Sequence, residues 1–351
     1  MTNVPAAAPP ITRATTTVRA LGPGIALSVA VAVAAMMSAP LVGRVAPIPA
    51  MVIALFIGIA LNSVAMRPAF QPGLSFCVKK LLRWAVALLG LRIALGDIVA
   101  LGLPTALLVV ASMALTVVSG FMLARVFGQD TSYGALAGAG TAVCGASATL
   151  ATSTVLPNYA GKDADVVFVV VAVNALSTVA MVLYPPLCLW VGFDGHVTGV
   201  MLGATIHDVA QVVGAGYAVS DTVGNAAVIV KLFRVFLLLP MVLAIGWWFA
   251  RAGAQTGDAR VPVPVFALVF LALCIVNSIM PSLPSLLPLY APIKGALVLA
   301  STWGLLIAIA ALGLGTSLTA IGALGWRHVA TVTGTTLVIL VIATAGLMVL
   351  R

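Results

Sequence analysis

The chain has 351 residues, of which 62% are hydrophobic and only 7% charged, and it carries a formal net charge of +9. A soluble globular domain has about 25% charged residues, so this composition excludes one and places most of the chain inside a lipid bilayer. The basic residues are scattered between apolar runs rather than gathered on one element, which excludes a nucleic-acid surface and suits loops that hold a membrane topology.

Residues 1–20, rich in Ala, Pro and Thr, read as a disordered cytoplasmic tail, followed by a single integral membrane domain over 21–351. The first apolar run, Gly22–Ala39, follows Arg13 and Arg19 as a signal peptide would. It is longer than the usual apolar region of such a signal and runs into Pro40, so it reads as the first span. With about 20 apolar residues per span, the candidates are 22–39, 46–63, 77–96, 98–124, 132–157, 165–192, 197–219, 223–250, 262–281, 294–323 and 327–350. The expected fold is therefore all-α, a polytopic membrane protein of about 9–11 transmembrane helices. The range is open because 132–157 and 197–219 are rich in small residues and read either as discontinuous spans or as re-entrant hairpins. Lys and Arg in the short loops favour a cytoplasmic N-terminus and an external C-terminus.

Leu89–Gly102 and Leu312–Gly325 match at eight of fourteen positions. They lie an odd number of segments apart and would run in opposite directions, as inverted repeats of secondary transporters do. Small residues kept for close helix contact explain the same matches. The four cysteines, Cys77, Cys144, Cys188 and Cys274, have no metal-ligand spacing and read as packed thiols, and neither a metal nor another cofactor is expected.

Three stretches carry polar chemistry. Gly138–Ser153 combines glycines with the hydroxyls of Thr141 and Ser147 and with Cys144. A helix that starts after a break there would point free N–H groups at an anion, although a small-residue packing face is the plainer explanation. Gly203–Gly216 places His207, Asp208 and Gln211 among apolar residues. An ionisable side chain at mid-bilayer costs roughly 2.5–3.5 kcal/mol on insertion scales, which makes it a functional candidate. If that stretch is helical, His207 and Gln211 share a face. His207 and Asp208 then suit proton coupling, or they only fasten neighbouring helices. Lys231 and Arg234 share a face of the next span and would either neutralise Asp208, bind an anion or snorkel to an interface. Asp97 near the end of the third segment reads as interfacial, with Arg92 a local partner for it at the unfavourable spacing of five, and Asn174 and Asn277 read as interhelical glue.

The motifs at Gly138–Ala146, Ile206–Val213, Asn225–Val235 and Ala311–Leu314 together resemble the YeiH-type family of bacterial inner-membrane proteins. The resemblance covers almost the whole chain, with Asp208 standing where other members can carry Glu. The family name implies sulfate export. The family is similar in turn to the cation/proton antiporter and bile-acid transporter superfamily, which implies inverted repeats and crossing broken helices. Carried over by motif are Thr141, Cys144, His207, Asp208, Gln211, Lys231 and Arg234, without established roles.

The reading is a non-enzymatic secondary transporter of the inner membrane that exports a small anion, either sulfate or a related sulfur oxyanion or sulfonate. Substrate-binding candidates are Thr141, Cys144, Ser147, Gln211, Lys231 and Arg234, and proton-coupling candidates are His207 and Asp208. The expected partners are the lipid bilayer, the anion and a second copy of the chain. The alternatives are a cation/proton antiporter using Asp208, a structural His207–Asp208 pair without transport, and an intramembrane enzyme pairing Ser147 or Cys144 with His207.

Overall fold

Apolar segments in lipid must satisfy their own backbone groups, so a chain of this composition folds as helices. The computed structural model describes residues 10–42, 50–252, 264–315 and 326–350, and every regular element among them is helical. Seven helices among them are long and apolar enough to cross a membrane: Ala20–Val42, Gly102–Val126, Lys162–Val191, Asp221–Arg251, Val265–Ser282, Leu287–Gly315 and Trp326–Leu350. Each answers one of the eleven expected segments. The remaining four, 46–63, 77–96, 132–157 and 197–219, are short or interrupted, because their small and polar residues are used for close packing and for breaks.

The chain forms two compact units, Met1–Ala85 with Ala300–Ser317, and Val86–Leu299 with Leu318–Arg351.

In the first unit, α1 (Pro10–Val42) starts inside the expected tail. Proline is tolerated at a first helical position, where the missing N–H would have had no partner. Then come α2 (Ala50–Ala60), α3 (Asn62–Ala65) and α4 (Gln71–Phe76). A π-helical turn, Cys77–Leu81, leads into α5 (Leu82–Leu88), whose residues from Val86 on belong to the second unit, as does the 3-10 turn Leu89–Leu91 that ends it, so 77–96 is not one helix. Glycines bring backbones together: a Cβ on Gly24 would lie 2.7 Å from the Cα of Gly73, and one on Gly58 would lie 2.8 Å from the carbonyl oxygen of Ala310. Where lipid is as apolar as the side chains, such close packing is a main source of helix association.

The second unit contains α6 (Leu95–Ala100), α7 (Gly102–Val126), α8 (Thr131–Ala142), α9 (Ala146–Val155), α10 (Lys162–Val191), α11 (Gly195–Thr205), α12 (Val209–Val219), α13 (Asp221–Phe236), α14 (Leu238–Arg251) and α15 (Val265–Ile279). Helix α16 (Leu287–Gly315) contributes its N-terminal part and α17 (Trp326–Leu350) completes the unit. The small-residue helices α8 and α11 are buried along nearly their whole length. The long apolar helices expose large side chains instead, such as Leu115, Val118, Val167 and Trp190, as lipid-facing surface requires. Tyr133 donates to the carbonyl of His328 at 2.9 Å, and the His328 ring lies 3.5 Å from the Asp165 carboxylate, which ties together the starts of α8, α10 and α17.

Two polar pairings differ from expectation. Arg92 pairs with Asp221 at 2.8 Å and lies over the Tyr217 ring, while Asp97 accepts the Ala94 N–H and caps α6. Asp97 thus serves its own helix terminus, and the partner of Arg92 comes from a distant helix. Asn277 does join elements: it donates to the Ile93 carbonyl at 3.2 Å and accepts from Lys294 at 2.6 Å. The second copy of the expected repeat, Leu312–Gly325, lies largely outside the described residues.

Candidate functional site

Both small-residue segments break near their middle, and they do so in different ways. Between α8 and α9 the chain turns through Val143–Gly145, where Gly145 has φ +64°. Glycine occupies that region without the steric cost a side chain would bring. Between α11 and α12, Ile206 (φ −70°, ψ 136°) and Asp208 (φ −101°, ψ 147°) are extended, and no glycine is involved. The glycines around this second break have another use. A Cβ on Gly203 would lie 2.4 Å from the carbonyl oxygen of Ala227, so Gly203 permits close contact of α11 with α13.

A broken helix leaves carbonyls without partners, and in lipid each such group costs roughly 2–7 kcal/mol. Lys231 and Arg234, one turn apart on α13 and both fully buried, supply the missing donors. Arg234 donates from Nε to Ala142 at 3.0 Å, from Nη1 to Gly203 and Ile206 at 2.9 Å each, and from Nη2 to Thr141 and Ala142 at 2.9 Å each. Those bonds use all five guanidinium donors. Lys231 donates to the carbonyls of Val143, Ile206 and His207, using all three of its own. The two cations therefore sit where α8 and α11 end, against the negative ends of both helix dipoles. Neither keeps a donor for a substrate, which moves both from the expected anion contact to a role as clamps.

His207 lies in the break, ahead of α12, so it does not share a helical face with Gln211. Its Nδ1 is 3.1 Å from the Thr141 carbonyl and its Nε2 3.0 Å from the Thr336 hydroxyl. A carbonyl only accepts, so Nδ1 carries a proton, and Nε2 faces a hydroxyl that also reaches the Val332 carbonyl at 2.9 Å. These partners, rather than Ser147 or Cys144, occupy both ring nitrogens. Asp208 is the N-cap of α12: its Oδ1 accepts the Ala210 N–H at 2.8 Å, and its own N–H donates to Ser177 at 3.0 Å. The expected residues Thr141 and Cys144 are buried, Thr141 paired with Thr335 at 2.9 Å.

What stays accessible lies around the start of α9. Its N-cap, Gly145, offers no side chain to the first N–H groups, and the following Ala146 and Ser147 are part-exposed. Mid-helix α10 joins this end to the start of α12. Val173 is the closest neighbour of a Cβ placed on Gly145, at 3.5 Å, and Ser177 accepts from Asp208. Asn174, between them, is exposed and accepts from Gln211 Nε2 at 3.2 Å. Two helix N-termini thus meet one polar face of α10, at part-exposed Ser147 and Asp208 and exposed Asn174. Of the expected site residues, only Ser147, Asp208 and Gln211 belong to this face. Ser177, Thr178, Thr335 and Thr336 were missed by sequence reasoning. Their one signal was hydroxyls recurring inside apolar spans.

The family model described as Conserved hypothetical protein 698 matches residues 23–332. The UPF0324 membrane protein TauZ of Paracoccus pantotrophus is 42% identical over 331 residues, covering 93% of this chain and 94% of its own. UPF0324 membrane protein RB0971 of Rhizobium meliloti is 39% identical over 329 residues, covering 93% and 92%. UPF0324 membrane protein CT0845 of Chlorobaculum tepidum is 37% identical over 310 residues, covering 88% and 84%. No solved structure matches the chain.

Proposed function

Because this chain belongs to the Conserved hypothetical protein 698 family of UPF0324 membrane proteins, the YeiH-type family, we propose that it is a secondary transporter of a small anion. One observation carries this reading. The N-cap of α9, Gly145, has no side chain and the helix start is part-exposed, with Cys144 reaching the Ala148 N–H, while the negative ends of α8 and α11 are covered by Lys231 and Arg234. N–H groups at a helix start suit an oxyanion, and with the carbonyl ends neutralised the local field favours one. The substrate class is sulfate or a related sulfur oxyanion or sulfonate, moved outward across the bacterial inner membrane, with the N-terminus in the cytoplasm. No chemical conversion is involved. Inverted repeats and a homodimer belong to the same reading. His207 and Asp208 couple protons: His207 Nε2 faces a hydroxyl, and the Asp208 carboxylate is part-exposed.

The test is flux into and out of proteoliposomes with sulfate, sulfite and organic sulfonates under imposed pH gradients. Substrate-dependent flux that falls in Ser147→Ala and changes its pH dependence in His207→Gln is the expected result. Absence of flux for every anion would sink the reading. A second reading, cation/proton exchange at Asp208, is favoured by that residue's part-exposed carboxylate. Sodium-driven proton movement without any anion would select it.

A further inference from the structure

The polar face carries more than anion-binding groups. Gln211, in the first turn of α12, is fully buried, and its Oε1 has no hydrogen-bond partner among the described residues. Its amide nitrogen is the end that meets two oxygens. Nε2 reaches Asn174 Oδ1 at 3.2 Å and Thr178 Oγ1 at 3.4 Å. The Thr178 hydroxyl already donates to the Asn174 carbonyl at 3.1 Å, so its oxygen is an acceptor and must meet the nitrogen of Gln211. Oε1 is therefore the end left over, and what it lacks is a donor. Asn174 and Asp208, on either side of Gln211, are exposed and part-exposed, and Asp208 adds a carboxylate.

Sulfate, like any fully deprotonated oxyanion, offers only acceptors. It would satisfy the N–H groups at the start of α9 but would leave Oε1 without a donor and would face the Asp208 carboxylate. We propose, building on the anion-transport reading above, that the site takes a small zwitterion, with its oxyanion at the start of α9 and its ammonium at Gln211 Oε1 and Asp208. The two ends of such a molecule match the two kinds of group that α10 holds side by side: the α9 terminus packed near Val173, and the α12 terminus tied to Asn174, Ser177 and Thr178.

The test uses the full chain in phosphatidylglycerol vesicles. Three probes compete for flux: taurine, which has an ammonium and a sulfonate; isethionate, with a hydroxyl in place of the ammonium; and sulfate. Taurine should outcompete isethionate by at least roughly tenfold, since a site built to bond an N–H group rejects an analogue that lacks it. That ratio should collapse toward one in Gln211→Met, which keeps the volume but cannot accept, and persist in Gln211→Glu, which keeps the acceptor. Equal competition by taurine and isethionate in the unmodified protein overturns the zwitterion while leaving anion transport standing. A taurine preference unchanged in Gln211→Met also overturns it. If none of the three probes moves, anion transport fails and the zwitterion falls with it. Adding phosphatidylethanolamine separates two sources of the same chemistry. A lipid headgroup in the site lowers taurine competition only when that lipid is present, whereas a soluble substrate is indifferent to it.

Discussion

The two breaks solve one problem in opposite ways. At Val143–Gly145 the chain turns through a glycine at φ +64°, and the helix that follows starts without a side-chain cap. At Ile206–Asp208 the chain stays extended, Asp208 caps the next helix, and the ring of His207 is held on both sides. The carbonyl ends of both breaks converge on the same two cations. The lesson is a division of labour: at one break side chains of the break itself cap the next helix, while at the other the N-cap is a glycine and the helix start stays part-exposed.

The largest effect should come from removing the shared clamp. Arg234→Ala strips donors from carbonyls on both sides, and Arg234→Lys keeps three donors where five bonds exist. Removing one partner of a buried polar network costs roughly 3–5 kcal/mol, so Arg234→Ala should be lost from the monodisperse fraction in detergent. Arg234→Lys should survive with a lower unfolding temperature. If Arg234→Ala were as stable as the unmodified protein, the two breaks would not depend on a common clamp.

Next come two glycine substitutions that separate the breaks. Gly203→Ala would bring a Cβ to 2.4 Å from the Ala227 carbonyl oxygen, and overpacking against backbone costs about 1–3 kcal/mol or more. Gly145→Ala meets only an ordinary contact at 3.5 Å, so its cost is the positive φ, about 1–3 kcal/mol. Thermal unfolding should therefore fall in both. Anion flux per folded molecule should fall only in Gly145→Ala, whose change lies at the open helix start.

A smaller effect is expected at the cap. Asp208→Ala should cost about 1 kcal/mol, the usual loss of an N-cap, and Asp208→Asn only a few tenths, because Asn caps equally well. If Asp208→Asn keeps its stability but changes the pH dependence of flux, the carboxylate has a role beyond capping. Unchanged flux would make it a cap alone. The smallest stability effect belongs to Ser147→Ala. Part-exposed Ser147 at the open end should change unfolding by less than about 0.5 kcal/mol while lowering flux. Equal flux would show that the open end does not bind.

Much of the site could be read from residue types. Glycines and hydroxyls in 132–157 and 197–219 marked both interrupted segments. The spacing of Lys231 and Arg234 put both on one helix face, and they do act together. The misreadings share a cause. Donor side chains are visible in a sequence, but backbone carbonyls look alike at every position. Nothing local reveals that Arg234 spends its five donors on carbonyls rather than on a substrate. Gly203 serves contact with Ala227 rather than a turn, and a glycine looks the same in the sequence whether it is needed for its φ or for the space beside it.

The sequence alone determined that this is an all-helical membrane protein, since lipid leaves an apolar chain few other ways to satisfy its backbone. It also located polar residues that such a chain buries, among them His207, Lys231 and Arg234. Tertiary structure decided which helix end is closed and which stays open. The bonds that cover the carbonyl end of the first break join Arg234 and Lys231 to carbonyls 92 and 88 positions away, and only folding sets a separation of that kind.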